Sequence, residues 1–121
     1  MLRAEPTARF DVIAPAGFRL LAALDTASRC LQCELVITSG TDRLHSGPDD
    51  PHKLGCAYDV RSHTFTEEHK PDVLRLVMGY LGSIESKDGG IVAGQFFGWL
   101  EQAGQPSEHF HFQLRKGAVY D

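Results

Sequence analysis

The hydrophobic positions in the first third of the chain predict one helix followed by one strand. From Pro15 onward, apolar residues recur at the spacing of one helical face, at Leu20, Leu21, Leu24, Ala27 and Leu31. Proline suits the first turn, so we predict a helix from Pro15 to about Leu31. The run Leu35-Val36-Ile37-Thr38 is short and rich in β-branched residues, and predicts a buried strand. Residues 1–13 predict an irregular or short extended arm.

The rest of the pattern predicts a second strand, a second helix and a hairpin. Residues 57–61 follow a long polar stretch and should form a strand. Thr66 and the acids after it suit the first turn of a helix. Its buried stripe is Val73, Leu74, Val77 and Leu81, and Gly82 is the predicted C-cap. Residues 95–101 and 108–114 flank a turn and predict a β-hairpin. We therefore expect one α+β domain spanning the whole chain, a small antiparallel sheet backed by two helices.

Length and charge fit a soluble domain and exclude several partners. The chain has 121 residues, of which 12 are basic and 16 acidic, for a net charge of -4. This balance does not favour nucleic-acid binding, which usually requires a basic surface. No apolar run approaches the length of a membrane span. We also expect the protein to be a monomer. Residues 1–10 lack the apolar segment of a signal peptide, so we expect synthesis in the cytoplasm, with release by another route such as lysis.

The three cysteines are interpreted as packing residues. Cys30 and Cys33 form a C-x-x-C, but a zinc ribbon needs a second pair, which Cys56 alone does not supply. A thioredoxin-like dithiol opens a helix, whereas this pair closes one. Buried free thiols behave as small hydrophobic groups, and we expect no disulfide in the cytoplasm.

Two segments that lie far apart in the sequence carry the side chains of a one-zinc hydrolase. Residues 52–59 read H-x-x-G-x-A-x-D, and residues 108–112 contain both Glu-x-x-His and His-x-His. A catalytic zinc takes three protein ligands from histidine and carboxylate and leaves its fourth position open. The candidate ligands are His52, Asp59 and His111. Glu108 is the candidate base that takes a proton without binding the metal.

The second motif leaves the identity of the acid/base group open. On a regular strand His109 and His111 share one face, while Glu108 points to the other. Glu108 reaches the metal side only from a turn or a bulge, which the turn-like residues 104–107 would allow. If the strand is regular from Glu108 onward, His109 becomes the acid/base group instead.

Together these motifs resemble a known family. The similarity consists of a strand ending in Ser39-Gly40, an arginine soon after it, the H-x-x-G-x-A-x-D segment and the final Glu-x-x-His. In these features the chain is similar to the zinc peptidases of the hedgehog/D-Ala-D-Ala-peptidase fold. The resemblance spans about residues 15–115. The family includes D-Ala-D-Ala carboxypeptidases and dipeptidases, and the L-alanyl-D-glutamate endopeptidases of phage lysins.

The resemblance implies the hedgehog/D-Ala-D-Ala-peptidase fold, a metal cofactor and a substrate. It implies Zn²⁺ bound by His52, Asp59 and His111, with Glu108 as the base. It further implies that Arg43 polarises the scissile carbonyl and stabilises the developing oxyanion. The implied substrate is the peptidoglycan stem peptide, cut at an amide bond with a D-amino acid on at least one side.

Three positions in the polar loop bear on substrate binding. Arg43 comes three residues after Gly40, whereas the family has this arginine directly after Ser-Gly-aromatic, so a solvated loop arginine is the alternative. Asp50 stands where the family often has serine, and an acid there would repel a substrate carboxylate, which argues against carboxypeptidase specificity. His45 is a further candidate for substrate contact, with a surface position as the alternative.

Two other functions stay open. One is a zinc-bearing binding module that no longer hydrolyses a substrate, as in hedgehog signalling domains. The other is a zinc amidase acting on a non-peptide substrate. Glu108 and the neighbouring His109 argue against the binding module, because a structural zinc site needs no base.

Overall fold

A seven-stranded sheet with two helices on one face forms the described part of the chain, residues 1–42 and 50–118, in this computed structural model. The elements are β1 (Leu2–Ala4), α1 (Pro15–Leu31), β2 (Leu35–Ser39), β3 (Ala57–Arg61), α2 (Lys70–Gly79), β4 (Ile84–Lys87), β5 (Gly90–Ala93), β6 (Phe96–Glu101) and β7 (His109–Leu114). The strand order is β1-β2-β3-β7-β6-β5-β4. Neither helix of these residues is long and apolar enough to cross a membrane.

Most of the predicted elements are confirmed. Helix α1 has the predicted bounds and ends where Gln32 takes a left-handed conformation, with φ 54°. Strands β2 and β3 and the β6–β7 hairpin lie where the hydrophobic pattern predicts them. Helix α2 begins later than predicted, because Thr66 supports a preceding turn in which its carbonyl accepts a hydrogen bond from the Lys70 N–H. It also ends earlier, with Tyr80 rather than Gly82 as its C-cap.

The sheet is larger than predicted and is not wholly antiparallel. Strand β1 pairs parallel with β2 through Leu2 and Leu35, so the extended form expected for part of residues 1–13 is confirmed at Leu2–Ala4, and its pairing adds a strand to the sheet. The β4–β5 hairpin was not predicted. Its turn residues Asp88 and Gly89 both have positive φ, 49° and 81°. An Asp-Gly pair between two strands is a strong hairpin signal, so the sequence did contain this information.

One face of the sheet and the two helices enclose the core. Tyr58, Val60, Phe110 and Phe112 of the central strands are at most 1% exposed. They belong to one cluster with residues of both helices, including Leu20, Leu24, Val77 and Met78. Because strand side chains alternate, the residues between them, Asp59 and His111 among others, lie on the face away from the helices. We call this second side the open face.

The cysteines differ in part from their interpretation as packing residues. All three are free thiols. Cys56 is buried next to β3. Burial raises the pKa of its thiol, and the negative charge of Asp50 raises it further by a smaller amount. Cys33 is half-buried and Cys30 is exposed, because Cys30 lies on the outer side of the last turn of α1. The packing interpretation is therefore wrong for Cys30.

Helix α1 and the turn before β3 approach each other through two glycines. A Cβ at Gly17 would lie 2.0 Å from the carbonyl oxygen of Gly55 and 2.9 Å from the hydroxyl of Tyr58. Gly55 itself has φ 74°, and a Cβ there would lie 2.3 Å from the Val12 carbonyl oxygen. The tight turn predicted at Gly55 is confirmed. This contact fixes the segment that carries His52 against α1.

Substituting Gly17→Ala should therefore lower the free energy of unfolding by about 1–3 kcal/mol, the usual cost of overpacking a close contact. Gly79→Ala is the matched control, because no atom lies within 4 Å of a Cβ built at Gly79. That change should leave stability equal or raise it by up to about 1 kcal/mol. The measurement is urea unfolding followed by circular dichroism. Equal stability of the two variants would contradict the close approach.

Candidate metal centre

Three buried side chains converge on the open face. His52, Asp59 and His111 are 1%, 2% and 4% exposed. One ligand atom from each lies within 4.8 Å of the others. Asp59 and His111 are directly opposite each other in the β3–β7 ladder, and His52 comes from the turn before β3. The structure thus brings together the three residues that the sequence predicts as ligands, and this group can hold a metal ion.

His52 is oriented by the backbone around it. The carboxylate of Asp50 accepts a hydrogen bond of 2.8 Å from the His52 backbone N–H. The ring atom Nδ1 lies 3.0 Å from the carbonyl oxygen of Gly40. A carbonyl can only accept a hydrogen bond, so Nδ1 carries the proton and Nε2 keeps its lone pair. Nε2 lies 3.3 Å from Oδ1 of Asp59.

His111 is oriented in the same way, by Gln113. The side-chain amide of Gln113 donates a hydrogen bond of 3.0 Å to the Leu114 carbonyl, which turns its oxygen Oε1 towards His111. The His111 Nε2–H donates to that oxygen at 2.9 Å. The lone pair of His111 is therefore on Nδ1, which lies 2.9 Å from Oδ1 of Asp59. Such hydrogen bonds to the far side of an imidazole are typical of metal-ligating histidines.

The arrangement fits a cation. In the neutral tautomers set by Gly40 and Gln113, two imidazole lone pairs face one negatively charged oxygen. Only a metal ion or additional protons can make that juxtaposition favourable. Two imidazole nitrogens and one carboxylate oxygen are also the donor set of many catalytic metal sites with an open position.

The carboxyl of Asp59 is held in its charged form. Burial raises the pKa of Asp59, but hydrogen bonds with His109, His111 and His52, made when a ring proton rather than a lone pair faces the carboxylate, lower it well below its usual range. A bound cation in place of those protons would also favour the charged carboxylate. A carboxylate that stays ionised is ready to bind a cation at any physiological pH.

His109 lies beside the three candidate ligands on the same face. Its Nδ1–H donates a hydrogen bond of 2.8 Å to the Ser107 carbonyl. Its Nε2 is 3.4 Å from Asp59 Oδ1 and 3.2 Å from Oε1 of Glu101. Burial lowers the pKa of His109, but the hydrogen bonds with Asp59 and Ser107 and the charges of Asp59 and Glu101 raise it above the usual value overall. Glu101, His109 and His111 also form a second group of three donor atoms.

Glu108 does not lie among the candidate ligands, which corrects the expectation that it reaches the metal side. Strand β7 is regular from His109, so Glu108 is in phase with Phe110 and Phe112 and faces the helices. One carboxylate oxygen contacts Lys70 Nζ at 2.5 Å and accepts from Ser62 Oγ at 2.6 Å. The other accepts from the Gly104 N–H at 2.9 Å.

The polar loop is described only in part. Arg43 and His45 lie outside the described residues, so their roles remain predictions. Asp50 is described, and its carboxylate supports the turn that carries His52, through the backbone hydrogen bond given above. A role of Asp50 towards the substrate also remains a prediction.

The sequence did not identify the groups that orient the ligands. The Gly40 carbonyl and the Gln113 amide fix the two tautomers, and Glu101 contacts His109. Trp99 is opposite His111 in the β6–β7 ladder, and the two ring centroids are 4.2 Å apart. A His-x-Gln pair on one strand face is a usable signal for the Gln113 contact, because residues two apart on a strand point the same way.

Comparisons with protein-family models, with curated proteins and with solved structures give no match for this chain.

The Glu108–Lys70 pair predicts a specific pH dependence of stability. Burial raises the pKa of Glu108, but hydrogen bonds from the Gly104 N–H, Lys70 and Ser62 and the charge of Lys70 lower it by more. The net result is a pKa of about 2, against an ordinary 4.5. The stabilisation is therefore fully present above pH 4.5 and is lost as the pH falls towards 2. Glu108→Gln should be less stable than the wild type at pH 7, and the difference should narrow below pH 4.5.

Urea unfolding at a series of pH values from 7 to 3 measures this difference. Glu68→Gln is the control, because it removes an exposed carboxylate just before α2, the helix that begins at Lys70. Its stability should follow that of the wild type at every pH. A gap between wild type and Glu108→Gln that stays constant down to pH 3 would show that Glu108 is not held by these partners.

Proposed function

We propose that this protein is a zinc-dependent peptidase that hydrolyses amide bonds of peptidoglycan stem peptides. The observation that carries the proposal is the convergence of two oriented imidazole lone pairs and one ionised carboxylate on the open face. A further histidine, His109, adjoins them with a nitrogen directed at the same carboxylate. The substrate class comes from the motif resemblance to the hedgehog/D-Ala-D-Ala-peptidase family.

The ligands would be His52 through Nε2, His111 through Nδ1, and the carboxylate of Asp59. Bound there, zinc supplies a Lewis acid and a strong nucleophile at neutral pH. Gly40 and Gln113 keep both imidazoles in the ligating tautomer. The aromatic ring of Trp99 packs against His111, with the two ring centroids 4.2 Å apart.

His109 is the acid/base group that the geometry favours. It satisfies the condition set by the sequence, because β7 is regular and directs His109 and His111 to the same face. Its Nδ1–H is held by the Ser107 carbonyl, so its proton exchange takes place at Nε2. There it can accept a proton during attack on the amide carbon and deliver one to the leaving amine. Glu101, 3.2 Å away, orients the ring.

A second candidate function is the zinc-bearing binding module. The observation that favours it is the position of Glu108, which is engaged by Lys70 and Ser62 on the helix side. The case for catalysis then depends on His109 alone. The two functions differ in what happens to a bound peptide, which is either cut or left intact.

The metal assignment predicts about one zinc per chain in the purified protein. His52→Ala, Asp59→Ala and His111→Ala should each reduce this content to below about a tenth, because a three-ligand site does not survive the loss of one ligand. The double variant Cys30→Ser/Cys33→Ser is the control and should keep its zinc. Metal analysis by mass spectrometry measures all five proteins. Zinc retained by every ligand variant, or lost from the cysteine variant, would place the metal elsewhere.

The catalytic assignment predicts different effects at two neighbouring residues. His109→Ala should keep its zinc and lose roughly 10²- to 10⁴-fold in turnover, the usual contribution of an acid/base group. Glu108→Gln should stay within about tenfold of the wild type at neutral pH, once corrected for folded fraction.

The assay is the release of new amino termini from peptidoglycan fragments, read by mass spectrometry. Near-normal turnover in His109→Ala would remove that residue from the mechanism. A hundredfold loss in folded Glu108→Gln would restore Glu108 as the base. A zinc-loaded wild type that releases no new termini from any wall type would favour the binding module.

A further inference from the structure

A cleft of about 400 Å³ lies on the open face, lined by residues of β4 to β7 and the segment after β7. Two aromatic side chains, Phe97 and Trp99, are part of its wall. The Phe97 ring lies directly over Gly90, where a Cβ would come within 2.6 Å of it. The absence of a side chain at Gly90 therefore makes room for this ring.

The cleft adjoins the candidate metal centre through two residues. Trp99 both lines the cleft and has its ring centroid 4.2 Å from that of His111. Gln113, which orients His111 through a hydrogen bond of 2.9 Å, lines it as well. A peptide chain that reaches the metal centre along β7 would therefore pass over these aromatic side chains.

The cleft carries a concentration of positive charge. Lys87, Arg115 and Lys116 line it, against the single acid Asp88. This is the reverse of the chain as a whole, whose net charge is -4. None of the three cations takes part in an ion pair within residues 1–42 and 50–118. A cleft lined by one sign of charge attracts ligands of the opposite sign.

We propose that this cleft is a substrate subsite for a carboxylate of the peptide, set apart from the bond that is cut. The inference rests on the proposed function. Arg115 is four residues beyond His111, a distance of roughly 13 Å at the rise of a strand. An extended peptide covers about 3.3–3.6 Å per residue. The long cationic side chains reach back, so the carboxylate lies about two to four residues from the cut bond.

Binding can be tested without catalysis, because Trp99 is the one tryptophan in the sequence. The probes are a synthetic stem peptide with free carboxylates and the same peptide with every carboxylate converted to an amide. Each is titrated into zinc-free protein while tryptophan fluorescence is recorded. An exposed ion pair contributes up to about fivefold in binding, so the acidic peptide should bind roughly 5- to 30-fold more tightly. This preference should weaken with added salt.

The variant Lys87→Gln/Arg115→Gln/Lys116→Gln should abolish the preference while leaving the binding of the amidated peptide unchanged. Arg75→Gln, which removes an exposed cation of α2 on the other side of the sheet, is the matched control and should keep it. Near-ultraviolet circular dichroism checks that each variant is folded. Equal binding of the two peptides, no response to either, or a preference that survives the triple variant would overturn the inference.

Cleavage of the same two peptides by zinc-loaded protein separates this inference from the proposed function. Binding that prefers the acidic peptide, without cleavage of either one, would remove the peptidase proposal and leave the subsite in place. Cleavage of both peptides at equal kcat/KM, with equal binding, would leave the peptidase proposal and remove the subsite.

Discussion

The buried carboxylate of Asp59 determines how the open face is arranged, because a charge removed from water must be compensated by partners that reach it. Three histidines surround it, two of them, His109 and His111, from the neighbouring strand β7, and a cation bound between them would complete the compensation. The pairing of Asp59 with His111 therefore fixes the register of β3 and β7. A one-residue slip of β7 would turn both of its histidines into the core and leave Asp59 without them, so chemistry and folding constrain this ladder together.

The sheet keeps two charged systems apart. On the open face lie Asp59 and the histidines, and on the helix side Glu108 is paired with Lys70. The alternation of a regular strand assigns Glu108 and His109, although adjacent in sequence, to opposite systems. The first system can hold a cation. The second attaches the start of β7 to α2 and so contributes to the position of His109.

Local patterns were enough to predict much of this arrangement. The spacing of apolar residues in α1 and the H-x-x-G-x-A-x-D segment led to the correct helix and to the three converging side chains. Strand alternation gives the side of Glu108 only if β7 is regular, and the partners that hold it there, Lys70 and Ser62, are far from it in the sequence, so no spacing rule contains them. The same applies to the Gly40 carbonyl that orients His52. The β4–β5 hairpin differs, because its Asp88-Gly89 turn was a readable signal.

The central claim is that two histidines and one aspartate hold a metal ion on the open face. X-ray absorption at the zinc edge of the purified protein tests it most directly, because the spectrum reports ligand type and distance. The account predicts a shell of nitrogen and oxygen only, at about 2.0–2.2 Å, with the outer-shell scattering of two imidazole rings. A sulfur shell near 2.3 Å would place the metal at the cysteines, and protein that takes up no zinc would contradict the account altogether.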